Sequence, residues 1–161
     1  MTIGDSWGYR KDDTNLKTAT ELIRALVDVV SRGGNLLLNV GPSPDGEIPE
    51  GLQERLRDIG AWMRVNGDAI RGTTRSPFGP LPVGKCTTRE HLLFIHLEEA
   101  PGAPVVLPGL QNTILDARFL ETGEAVAFDN AAKTLQPPEP LPNDAVAVIV
   151  VTLDAAPVVQ Q

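Results

Sequence analysis

Asn35-Leu36-Leu37-Leu38-Asn39-Val40-Gly41 is an apolar run with no alternation. A half-buried strand alternates apolar and polar residues, so this run reads as a strand covered on both faces. Upstream of it, Thr18 and Glu21 form a T-x-x-E capping box. Leu22, Ile23, Leu26, Val27 and Val30 then recur at helical spacing. Gly33 and Gly34 stop this helix, the first as a left-handed cap. Downstream, the glycines and prolines of Gly41-Pro42-Ser43-Pro44-Asp45-Gly46 mark a loop. Pro49 opens a second helix, Leu52, Leu56, Ile59 and Met63 give its apolar stripe, and Asn66-Gly67 ends it. The order helix, buried strand, loop, helix is the unit from which barrels and doubly wound sheets are built.

The texture changes after this segment. Residues 1–72 read as α/β and residues 73–161 as all-β; eleven of the 14 prolines lie in the second part. Pro77, Pro80 and Pro82 mark a linker. Strands are expected over 91–97, 105–107, 114–120, 125–128, 133–136 and 145–153. Short strands separated by turns at this spacing point to an antiparallel sandwich. In 114–120, Ile114, Asp116, Arg118 and Leu120 should share one face, against Leu115, Ala117 and Phe119. The tail after Asp154 is expected to fray.

Composition narrows the functional classes. The net charge of −7 disfavours nucleic acid and anionic lipid, both of which reward Lys and Arg; a neutral sugar is indifferent to it. The one cysteine, Cys86, allows no intrachain disulfide and reads as a small buried hydrophobe. No basic, apolar leader follows Met1, and no run approaches the ~20 apolar residues of a membrane helix. The chain is expected to be soluble, and cytoplasmic as it stands.

Asp5-Ser6-Trp7-Gly8-Tyr9, Gly33-Gly34-Asn35-Leu36-Leu37-Leu38-Asn39-Val40-Gly41-Pro42, Asp45-Gly46-Glu47-Ile48-Pro49, Ile59-Gly60-Ala61-Trp62-Met63 and Asn66-Gly67-Asp68-Ala69-Ile70 stand in that order. Together they resemble glycoside hydrolase family 29, the α-L-fucosidases. The resemblance implies the terminal portion of a (β/α)8 barrel followed by an antiparallel β-sandwich, with Leu36–Val40 as the final barrel strand. It also implies retaining hydrolysis of α-L-fucosides by an Asp nucleophile and a Glu acid/base about 5 Å apart. In the family both lie upstream of the Ser-Trp-Gly-Tyr region, so the chain reads as a truncated form without the nucleophile region and its catalytic residues stay unassigned.

Three residues are candidates for contact with substrate. By resemblance, Trp7 sits where an aromatic ring packs on the apolar side of fucose, a pairing that suits a ring face and C–H surface. Tyr9 is its neighbour, with structural support as the competing role. Asn39 ends the apolar run, where barrel enzymes place active-site groups; the competing role is a hydrogen bond to loop backbone. Asp45-Gly46 reads as a turn, and Asp12-Asp13 as a solvated pair ahead of a helix. His91 and His96, five apart on one strand, point to opposite faces and cannot share a metal. No metal site and no cofactor is expected. The expected partners are a fucosylated glycan or an aryl fucoside, and further copies of the chain joined through the α/β half, since its strand edges and helix faces would be partly bare. The other reading is a catalytically silent module that binds carbohydrate or assembles with itself.

Overall fold

The computed structural model describes residues 1–160. Helix α1 spans Ala19–Ser31 and α2 spans Glu50–Asn66. The strands are β1 Thr74–Arg75, β2 Lys85–Arg89, β3 Leu92–Leu97, β4 Val105–Val106, β5 Ile114–Phe119, β6 Ala127–Asp129, β7 Thr134–Gln136 and β8 Ala147–Leu153. They form two antiparallel sheets, one in the order β1-β2-β3-β8-β5 and one in the order β4-β7-β6.

The α1 ends follow from sequence chemistry. Thr18 accepts from the Glu21 N–H at 3.2 Å, and the Glu21 carboxylate accepts from the Thr18 N–H at 2.7 Å. This is the reciprocal capping box, which satisfies two otherwise orphaned donors. At the other end Gly33 has φ +82°. It donates to Val30 O, and Gly34 donates to Val29 O, a Schellman arrangement that only a residue tolerant of positive φ makes without strain.

The central strands β3 and β8 are apolar on both faces because both faces are covered. Leu93, Ile95 and Leu97, with Ile149, Val151 and Leu153, pack toward Val105 and Leu135 of the smaller sheet. Phe94, Val146 and Val148 face the helices and meet Ile23, Val27 and Trp62. The helices therefore form an outer layer on the larger sheet. The Trp62 indole N–H donates to Val146 O at 2.8 Å, and the Arg24 guanidinium donates to Glu98 O and Ala145 O. Of the α1 face expected to be partly bare, Leu22 and Ile23 are buried within the chain while Leu26 and Val30 are half-buried.

Four expectations are corrected. The run Leu36–Val40 is not covered on both faces: Leu37 is 66% exposed, and the segment pairs only through an isolated parallel bridge between Thr2 and Asn39. Its apolar pattern is real, but the elements described here cover only part of it. Between the proline-marked linker and the strand expected from His91 lies a further strand, β2, whose buried Thr87 donates its hydroxyl to Ala69 O at 2.7 Å. In β5 a bulge between Ile114 and Asp116 breaks the alternation, so Ile114 joins Ala117 and Phe119 in the core and Leu115 lies outside. The described tail, from Asp154 to residue 160, is tied down: Val158 N–H donates to Asn112 Oδ1 at 2.7 Å, and Val159 bridges Leu110; residue 161 lies outside the described residues.

Candidate functional site

The N-terminal loop, the loop from Asn39 to Pro49 and the first turn of α2 enclose a cleft of about 630 Å³. Tyr9, Asn39, Asp13, Ser43, Glu47 and Glu50 are among the residues lining it. Trp7 does not line it; the residue is 64% exposed on the adjoining loop. The floor is held by backbone. Met1 donates to Leu37 O, Asn39 N–H donates to Met1 O at 2.9 Å, and Lys17 N–H donates to Ile3 O at 2.9 Å. Ile3 is buried and fixes the chain to the body of the protein.

The segment carrying Trp7 is pinned at three points. Ahead of it, Asp13 accepts from the Asp5 and Ser6 N–H groups at 3.2 and 2.9 Å. At its centre, the Asn39 amide donates to Trp7 O. Beyond it, Gly41 lies so close that a Cβ there would sit 2.6 Å from Tyr9 N. Only glycine permits that approach of two backbones. The Ser6 and Asp5 backbone donors hold the Asp13 carboxyl below the usual carboxylate range, because hydrogen bonds to the ionised form favour it. Asp12 is lowered too, by its hydrogen bond and charge contact with Arg10, at 2.7 Å.

The sequence candidates fall in one place. Trp7, Tyr9 and Asn39 belong to adjoining segments, and the Asn39 side chain takes the loop-backbone bond that competed with a role in substrate contact. Asp45 and Glu47 are exposed in a tight turn closed by Gly46 N–H to Ser43 O and Ser43 N–H to Glu47 O. Reading Asp13 as merely solvated missed its two backbone hydrogen bonds; nothing in the sequence distinguishes it from Asp12, since its donors are set by the folded loop. His96 and Cys86 are buried on β3 and β2 and do not line this cleft.

The family profile described as Alpha-L-fucosidase matches residues 1–68. Over 76 residues the chain is 51% identical to plasma alpha-L-fucosidase of Rattus norvegicus and 50% identical to that of Homo sapiens. Each match covers 45% of this chain and 17% or 16% of the relative. The fold of alpha-L-fucosidase isoenzyme 1 from Paenibacillus thiaminolyticus matches 96% of this chain with a TM-score of 0.87 and 35% identity, over 39% of that enzyme. Residues 1–68 carry the sequence of the α-L-fucosidase family, and the fold of nearly the whole chain is similar to part of solved α-L-fucosidases. The chain spans about a sixth of the curated relatives and well under half of the solved enzymes. A Thermotoga maritima α-fucosidase in complex with fucose matches 94% of the chain at a TM-score of 0.80 and 32% identity, over 39% of that enzyme. The sequence likeness to curated α-L-fucosidases lies in the part that builds the Trp7 loop and both helices, whereas the structural likeness runs nearly end to end.

Proposed function

We propose that this chain supplies part of the fucose-binding wall of a retaining α-L-fucosidase, and that it corresponds to the terminal portion of the family's (β/α)8 barrel, residues 1–72, and its C-terminal β-sandwich, residues 73–161. The observation that carries the reading is the match of residues 1–68 to the family, because it contains the pinned loop with an exposed Trp7 ring. A neutral deoxy sugar suits such a ring, since its C–H and methyl face is apolar and its hydroxyls stay in water. Tyr9 adds a hydroxyl at the mouth of the cleft, and Asn39 holds the Trp7 carbonyl. The work of this chain is binding and orientation, which lowers the entropy lost on reaching the transition state. The carboxylates that break the bond in the family have no counterpart assigned among these residues, so the isolated chain should release p-nitrophenol from its α-L-fucoside only at background rate.

Fucose titrated into the 161-residue chain should perturb the Trp7 indole. Trp7→Ala should weaken binding by about 1 kcal/mol, roughly fivefold, and more than Tyr9→Ala does. Equal affinity in the wild type and Trp7→Ala would place the ring outside the site. Self-association through the α/β half belongs to the same proposal. Leu37 is 66% exposed on a segment bridged on one side by Thr2, and unpaired strand edges template association. Light scattering should show a species larger than a monomer at micromolar concentration; a stable monomer sinks that part alone.

A further inference from the structure

Trp7 is largely exposed, so the backbone that carries it, rather than core packing, sets where its side chain leaves the loop. Of the three anchors on that backbone, Asn39 and Gly41 come from the facing loop, and the third is Asp13, placed by the turn in which its own N–H donates to Arg10 O at 3.2 Å. Both carboxylate oxygens of Asp13 are used, Oδ1 on Asp5 N–H and Oδ2 on Ser6 N–H. Asp5 is in turn held by the Asn15 amide at 3.0 Å. The approach is tight: a Cβ on Gly4 would lie 2.6 Å from Asp13 Oδ2.

We infer that Asp13 is a positioning residue for sugar recognition: by clamping the two N–H groups before Trp7, it keeps the ring preorganised as a stacking platform. The inference rests on the proposed fucose-binding role. A carboxylate accepts two N–H groups, whereas an amide presents one acceptor and one donor, so Asp13→Asn sets an N–H against an N–H and opens the turn. A ring that must be ordered on binding gives weaker affinity than one already ordered. Ionised Asp13 is the clamping form, in keeping with the Ser6 and Asp5 N–H groups holding its pKa below the usual carboxylate range.

The chain contains two tryptophans, which makes the test direct. In 15N–1H spectra Trp7 and Trp62 each give one indole signal, and Trp62, buried and bonded to Val146 O, reports the fold. In Asp13→Asn the Trp7 signal should shift and broaden while Trp62 stays in place, and fucose affinity should fall about three- to tenfold. Gly4→Ala pushes the carboxylate aside without removing its charge and should have the same effect, so the inference survives a failure of Asp13→Asn to fold. An unmoved Trp7 signal in both variants, with Trp62 native, overturns it. Fucose that perturbs neither indole of the wild type sinks the binding role instead, while the indole shift of the variants still decides whether Asp13 orders the loop.

Discussion

His96 makes a measurable prediction about acid stability. It lies on β3, fully buried, between Thr87 and the helices. Thr87 Oγ1 donates to Ala69 O and so accepts from His96 Nε2–H at 3.0 Å, which places the proton of the neutral ring on Nε2. Nδ1 has no hydrogen-bond partner among the described residues. Burial, with a contribution from the Lys85 ammonium across the strand pair, lowers the imidazole from its ordinary 6.5 to about 3. The unfolded chain takes up a proton near 6.5 and the folded chain does not. Stability is therefore complete above that value and is lost as pH falls from 6.5 toward the folded value. Between about pH 7.5 and pH 5 the loss is about 2 kcal/mol, from 1.36 kcal/mol per unit. It depends only on the folded value lying well below 5. The lowered carboxylates Asp12, Asp13, Glu21 and Asp154 titrate under this window. Urea unfolding followed by circular dichroism should show the midpoint falling by about 1 M, for a slope of about 2 kcal/mol/M. His96→Gln keeps a donor for Thr87 and cannot titrate, so its midpoint should stay nearly level. His91→Gln, at the exposed second histidine, should follow the wild type. A level wild-type midpoint, or an undiminished fall in His96→Gln, would refute the assignment.

Other outcomes follow from the same contacts. Gly41→Ala forces its Cβ against Tyr9 N and should cost about 1–3 kcal/mol, with a shifted Trp7 indole signal; thermal unfolding and the spectrum check it. Thr18→Ala removes the α1 capping box and should cost about 1 kcal/mol in urea unfolding. The Cys86 thiol is buried and burial pushes its acidity far from thiolate formation, so a disulfide reagent should label it only at the rate of global unfolding; fast labelling of the native chain would contradict the packing of β2. Trp62→Phe loses the bond to Val146 O and should lower stability by about 1–2 kcal/mol.

Much of this was legible in the residues. The capping box, the Gly33 stop and strands β3 and β8 carry local signals strong enough to read, and the ordered motifs carry the family. What was not legible depends on packing. The α2 stripe of Leu52, Leu56, Ile59 and Met63 suggested one buried face, yet the fully buried residues are Trp62 and Asn66, because α2 meets the sheet through its last turns. Strand β2 hid behind three prolines and two threonines, and Thr87 is inside only because Ala69 O and His96 satisfy its hydroxyl. Asp13 looks like any surface acid until the loop brings Asp5 and Ser6 to it.

The contact of both helices with the back of the larger sheet has a mechanical consequence. Phe94, Val146 and Val148 cannot shed Ile23, Val27 and Trp62 without exposing their own core face, and Arg24 ties α1 to carbonyls at the adjoining ends of β3 and β8. A protease cut among residues 79–82, where the chain runs over the surface, would sever the polypeptide but leave the two pieces clasped. The amide hydrogens of α1 and β8 should then exchange together, as one opening event, in the cut and the uncut protein alike.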